Sequence, residues 1–277
     1  MKNSKNSILS ENNKIIMQAI TLIFVFIVFL RQNSQIYTVR DERSPPSLRT
    51  KHLNTQTPEN TKSVEWRDAN KEDCEITYWK KQKKDKTPLG NSWYKGWYVD
   101  FFKIDYNKFA NKKILDIGCG PRGSLEWADN ADLRVCVDPI SKQYGLLGAN
   151  DHSMLYIETG VEDIPIPDNS FDYVFSINNF DHVTNYESGI SEIHRVLNKG
   201  GTFGIIVEIH PEPTPCEPIS FDWDITKEFE DIGMQLIFEK HSESCEHGTS
   251  SIEKCPPFDH SDKTKRDGYL LAVFKKN

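Results

Sequence analysis

The stretch Lys113-Ile114-Leu115-Asp116-Ile117-Gly118-Cys119-Gly120-Pro121-Arg122-Gly123 decides the fold. Its first five residues are a short apolar run, fit for a buried strand. The glycines then fall as Gly118-x-Gly120-x-x-Gly123. That string alone is weak evidence; its place between a strand and a predicted helix, Pro121 to Asn130, gives it weight. Proline is harmless near the first turn of such a helix, where its missing N–H has no partner to lose. Glycines permit a tight turn and a close approach of backbone to ligand.

Working outward, apolar runs recur. Leu133 to Asp138, Met154 to Glu158, Phe171 to Ser176, Thr202 to Ile209, Met234 to Phe238 and Tyr269 to Phe274 read as six further strands. Glu187 to Leu197 reads as a helix, with Ile190, Ile193, Val196 and Leu197 at helical spacing, and Asp224 to Asp231 as another. Strands alternating with helices predict an α/β fold: a doubly wound, seven-stranded, mostly parallel sheet. The last two runs have no helix of normal length between them, which predicts an antiparallel terminal pair.

Asp138 ends the second predicted strand, twenty residues after Gly118. A carboxylate there can accept both hydroxyls of an adenosine ribose. Two cofactors fit this pair of features, a nicotinamide dinucleotide and S-adenosylmethionine (SAM). Asp116 separates them. It would face a pyrophosphate unfavourably, but it suits the cationic methionine end of SAM.

At this point the chain resembles the class I SAM-dependent methyltransferases, in particular the small-molecule group with the type 11 methyltransferase domain. The matching segments are ILDIGCGPRG (114–123), VCVDP (135–139), VEDIPIPDNSFDYVFSINNFDHV (161–183) and SEIHRVLNKGGTF (191–203). GPRGSLEWA, PTPCEP (213–218) and PPFDHS (256–261) look like a bacterial-type subgroup. The resemblance implies a Rossmann-like sheet and SAM as cofactor. It implies that Gly118, Cys119, Gly120 and Gly123 line the methionine moiety, with Asp116 near its amino group. Asp138, with Pro139 beside it, would hold the ribose; Val161 and Glu162 would border the adenine; Asn178 would lie near the amino group and sulfonium. Many relatives carry an Asp where this chain has Gly160, so Glu162 or a backbone carbonyl has to take the adenine contact.

Methyl transfer needs nucleophile, methyl and sulfur in line, and some acceptors also need a base. Candidates follow the strand ends: Asp181-His182 first, then Glu208, His210, Glu217, Asp222 and His260. His182 has the side chain best suited to take a proton near neutrality. Cys245, His247, Cys255 and His260 offer four metal-ligand types, but their spacing matches no ordinary zinc pattern, and no metal is expected.

Upstream, Ile15 to Leu30 carries no charge between Lys14 and Arg31. As a helix it would span about 24 Å, and flanking Lys14 and Arg31 can snorkel to close the gap to a ~30 Å hydrocarbon core. The expected organisation is therefore a tail (1–14), a single-pass membrane anchor (15–30), a flexible linker (31–63), an aromatic-rich helical cap (64–111) and the SAM-dependent domain (112–277). Aromatics near Trp93 to Tyr98 are candidates to touch cofactor or substrate. The charge bias around the span, the absence of Asn-X-Ser/Thr and the cytosolic origin of SAM favour a cytosolic domain. Its six cysteines then read as free thiols, although Cys245 and Cys255 can pair in an oxidising compartment. A net charge of −7 argues against nucleic acid as the partner. The expected partner is a small-molecule, saccharide or lipid-linked acceptor. A nicotinamide-dependent reductase and a SAM-binding scaffold without transfer activity are the rival readings.

Overall fold

The seven apolar runs form one sheet in the computed structural model, which describes residues 71–83 and 89–277. The tail, the apolar run 15–30, the linker and the first residues of the cap lie outside the described residues. The strands are β1 (Lys113–Ile117), β2 (Leu133–Val137), β3 (Leu155–Ile157), β4 (Phe171–Ile177), β5 (Leu197–Ile209), β6 (Met234–Glu243) and β7 (Gly268–Lys276). Their order is β3-β2-β1-β4-β5-β7-β6. The first five pair in parallel, and β7 runs antiparallel to both β5 and β6. The antiparallel terminal pair is as expected. The inner strands are buried on both faces, which is why they read as continuous apolar runs rather than alternating ones.

Among the described residues the longest helices are α1 (Lys71–Lys83), α2 (Tyr186–Val196) and α3 (Ile225–Asp231). In α2, Asn185 caps the start by accepting from the Ser188 N–H at 2.8 Å, and Ile190, Ile193 and Val196 form the buried stripe. At its other end the buried Lys276 ammonium donates to the carbonyls of His194 and Leu197 at 2.7 and 2.8 Å, where the helix dipole is negative.

The expected helix Pro121 to Asn130 does not form. One 3-10 turn, Gly120–Arg122, stops where Gly123 turns left-handed at φ 72°. Turns follow, and the Arg134 guanidinium satisfies the Leu125 and Glu126 carbonyls that a helix would have bonded internally. The aromatic cap takes over that face of the sheet. Tyr94, Tyr98, Phe102 and Phe109 pack with Ile114, Leu125, Ala128 and Phe175. The segment that carries them is a single helical turn (Tyr94–Gly96), a π-helical turn (Trp97–Phe101) and a 3-10 turn (Tyr106–Phe109). β5 also starts earlier than expected, at Leu197, because Lys199-Gly200-Gly201 is absorbed as a bulge between the Phe171–Leu197 and Tyr173–Thr202 pairs.

All six cysteines are in disulfides: Cys74–Cys216, Cys119–Cys136 and Cys245–Cys255. The free-thiol expectation is therefore wrong, and the four-ligand reading of Cys245, His247, Cys255 and His260 loses both its thiolates. Among the described residues no helix is long and apolar enough to cross a membrane.

Candidate cofactor and acceptor site

The parallel pairing of β1 and β2 puts Ile117 opposite Val137, so the glycine turn and Asp138 leave the sheet side by side. The Gly118 N–H donates to the Val137 carbonyl at 2.8 Å, and the Cys119–Cys136 disulfide ties the same turn to β2. Gly118 and Gly120 both have left-handed backbones, φ 64° and 62°. A side chain at Gly118 would run into Asn179, which reaches across from beyond β4 to donate to the Ile117 carbonyl. A Cβ at Gly120 would lie 2.8 Å from the Trp79 ring of α1.

Asp138 is buried, and its Oδ1 accepts the Ile140 N–H at 3.0 Å. Burial pushes its carboxyl up to about 7, against the relief from that hydrogen bond. Asp116, 1% exposed, accepts from the Tyr98 hydroxyl at 2.6 Å and from the Ser124 hydroxyl, both on Oδ2. Burial raises it to about 7 as well, with the two hydroxyls opposing. Its other oxygen, Oδ1, is buried with no partner, and so is Oδ1 of Asn178 at the end of β4, next to β1 in the sheet. Two buried acceptors without donors, beside a buried Asp138, fit a cationic ligand that brings N–H groups and a ribose diol. They do not fit a pyrophosphate. The chemistry of these residues therefore fits SAM.

The remaining expected residues divide. Pro139 is exposed at the rim. Val161 is buried against Gly189. Glu162 accepts the backbone N–H groups of Thr184 and Asn185 at 2.7 and 3.2 Å, so it holds the start of α2 in place. Its Oε2 lies over Gly160. Of the aromatics, Tyr98 reaches the site through Asp116. Trp79, Ser124 and Asn179 were not expected there. Arg122 sets its guanidinium 5.2 Å from the rings of both Trp79 and Trp93 and donates to the Gly90 carbonyl, so the cap closes directly onto the glycine turn.

A second group lies beyond β4 and β5. Asp181 is 1% exposed, and both its carboxylate oxygens lack a hydrogen-bond donor. Burial raises its carboxyl, with His182 opposing. His182 Nε2 stands 3.8 Å from Oδ1, and His210 Nε2 stands 3.8 Å from Oδ2. Glu217 is close enough to complete a cluster with Asp181 and His182. Glu208 accepts from the Tyr269 hydroxyl at 2.8 Å, and burial raises its carboxyl. Asp222 and His260 line a neighbouring cleft of about 410 Å³ with His210, Trp223, Phe258 and Arg266.

Residues 115–205 match the family model described as "Methyltransferase domain". The chain is 31% identical over 146 residues to the ubiquinone/menaquinone biosynthesis C-methyltransferase UbiE of Stenotrophomonas maltophilia, covering 52% of this chain and 54% of that one. It is 31% identical over 114 residues to ajmaline N-methyltransferase of Rauvolfia serpentina, covering 38% and 39%. Among solved structures, the [4+2]-cyclase SpnF superposes with a TM-score of 0.48 at 16% identity, over 64% of this chain and 78% of that one. The chain thus spans about half or less of the curated relatives it matches. With the glycine turn, Asp138 and the unpaired acceptors at Asp116 and Asn178, the match identifies residues 115–205 as a methyltransferase domain of the class I, SAM-dependent type.

Proposed function

We propose that this protein moves the methyl group of SAM to a small-molecule acceptor, of free, saccharide or lipid-linked type. The carrying observation is the buried, donor-less Oδ1 of Asp116 beside that of Asn178, with Asp138 at the neighbouring strand end. SAM supplies an activated methyl on a sulfonium. Asp116 and Asn178 hold its amino group, Asp138 holds the ribose, and Trp79 and the glycine turn exclude water along its length. Asp181 and His182 lie past β4 at the acceptor end, where they orient the acceptor or take its proton. Matched relatives are named as a ubiquinone/menaquinone biosynthesis C-methyltransferase, an ajmaline N-methyltransferase and a sterol 24-C-methyltransferase, which supports a compact, partly apolar acceptor.

Calorimetry of the full-length chain in mild detergent tests the reading, titrating SAM and NADH in parallel. SAM binding, followed by S-adenosylhomocysteine release in the presence of cell extract, is the expected result. Binding of NADH alone overturns it, and SAM binding with no turnover in any extract favours a scaffold.

We also propose that the run 15–30 anchors the domain to a membrane. The three disulfides support an oxidising side of that membrane rather than the cytosol, because cytosolic thiols are kept reduced. SAM made in the cytosol then has to be carried across to reach the site.

A further inference from the structure

The buried carboxylate of Asp181 faces two imidazole nitrogens and no hydrogen-bond donor. In His210 the tautomer follows from its surroundings: Nδ1 lies 2.8 Å from the Glu212 carbonyl, an acceptor only, so Nδ1 carries the proton and Nε2 the lone pair. That lone pair is buried without a partner and stands 3.8 Å from Oδ2 of Asp181, which is equally unpartnered. On the other oxygen, Oδ1, His182 Nε2 also stands 3.8 Å away. A ligand atom from Glu217 lies within 4.8 Å of those from Asp181 and His182. Ligand atoms from two carboxylates and one imidazole therefore converge on one space, and the buried Asp181 oxygens there receive no hydrogen bond, His210 facing Oδ2 with a lone pair from outside that group.

Such convergence suits a cation. Two ligands each ~2.1 Å from one ion lie about 3.4 Å apart in a tetrahedron and at most about 4.2 Å apart. The 3.8 Å separation of His182 Nε2 from Oδ1 of Asp181 falls inside that range.

The loop that brings Glu217 is held on purpose-built contacts. The Thr214 hydroxyl accepts the Glu217 N–H at 2.9 Å and bonds its carboxylate at 3.1 Å. Cys216, next in the chain, is disulfide-bonded to Cys74 of α1. The Ile219 N–H donates to the Asp181 carbonyl at 3.2 Å, and the Ser220 hydroxyl to that of His210.

We propose that Asp181, His182 and Glu217 bind one first-row transition-metal dication, with water or the acceptor completing its shell. One imidazole with two carboxylates favours zinc, cobalt or manganese over magnesium or calcium, which prefer all-oxygen shells. Binding of the ion stands on this cluster alone. Its consequence for the acceptor rests on the methyl-transfer reading: with His182 ligated, activation passes to an acceptor oxygen on the ion.

The test uses full-length chain in mild detergent, stripped with a chelator and titrated with zinc, cobalt, manganese and magnesium chlorides. One equivalent of zinc or cobalt is expected to bind, with visible cobalt d–d bands, and magnesium is expected not to compete. Asp181→Asn and Glu217→Gln are expected to weaken zinc binding at least about 100-fold. His182→Gln, at a quarter-exposed position that tolerates the change, is expected to weaken it about 10-fold. No stoichiometric binding of any of these ions, or binding unchanged in His182→Gln and in whichever of the other variants fold, overturns the proposal. SAM affinity is read on the same samples. Metal binding lost with SAM binding kept sinks only the ion; SAM binding absent with metal bound sinks only the transfer reading.

Discussion

Asp138 and Asp116 set the terms on which a cation enters this domain. Asp138→Ala is expected to weaken SAM binding by about 1.5–3 kcal/mol, the worth of a hydrogen bond to a charged acceptor, measurable by calorimetry. Unchanged affinity would place the ribose elsewhere. In the ligand-free protein Asp116 is raised from its ordinary 3.8 to about 7. A carboxyl raised on folding contributes stability that is complete below its unfolded value and is lost as pH rises to the folded one. Between about pH 4 and 7 the unliganded domain should therefore lose stability that Asp116→Asn retains, as melting curves across that range would show. SAM reverses the preference, because its cationic end favours the ionised carboxylate. Its affinity is expected to climb through about pH 7 in the wild type and to climb less steeply in Asp116→Asn, where Asp138 alone still titrates there. Asp116, Gly118, Gly120 and Asp138 were legible in the sequence because strand, turn and strand end fix them by position along the chain. Trp79, Ser124 and Asn179 were not. They arrive from other elements, and Asn179 carries no local pattern that marks its reach back over Gly118.

At the scale of elements, the strands were readable and the coverings were not. Each inner strand is buried on both faces, so its signal is a run of apolar residues that no neighbour has to supply. The segment after β1 looked helical by position, but Gly123 in the left-handed region and the Asp and Asn residues up to Asn130 favour turns, and the cap had aromatic bulk to cover the same face. The cap itself is held by α1. Ile76 and Trp79 of α1 and Leu89 pack on Ile140, Tyr144 and Leu147, and Cys74 binds α1 to Cys216 beyond β5. That bond closes a loop of sequence separation 142, and breaking such a bond typically costs about 2–4 kcal/mol. The double variant Cys74→Ala/Cys216→Ala is expected to melt lower and to be cut by protease within α1 before the sheet is touched. Equal melting temperature and equal protease resistance would show that α1 stays seated by packing alone.

Across the whole molecule, three cross-links, of sequence separation 142, 17 and 10, bear on where the protein works. Chain taken from its own cells under acid quench is expected to take up no maleimide until it is reduced, and then six equivalents, read by intact mass. Uptake of six before reduction would return the domain to the cytosol. One cross-link has a practical side. Cys119–Cys136 ties the glycine turn, proposed above to hold SAM, to β2, and routine methyltransferase assays contain dithiothreitol. In that buffer the glycine turn would be released from β2, and a protein with an intact acceptor chemistry would score as inactive. Screens for its substrate belong in reductant-free buffer.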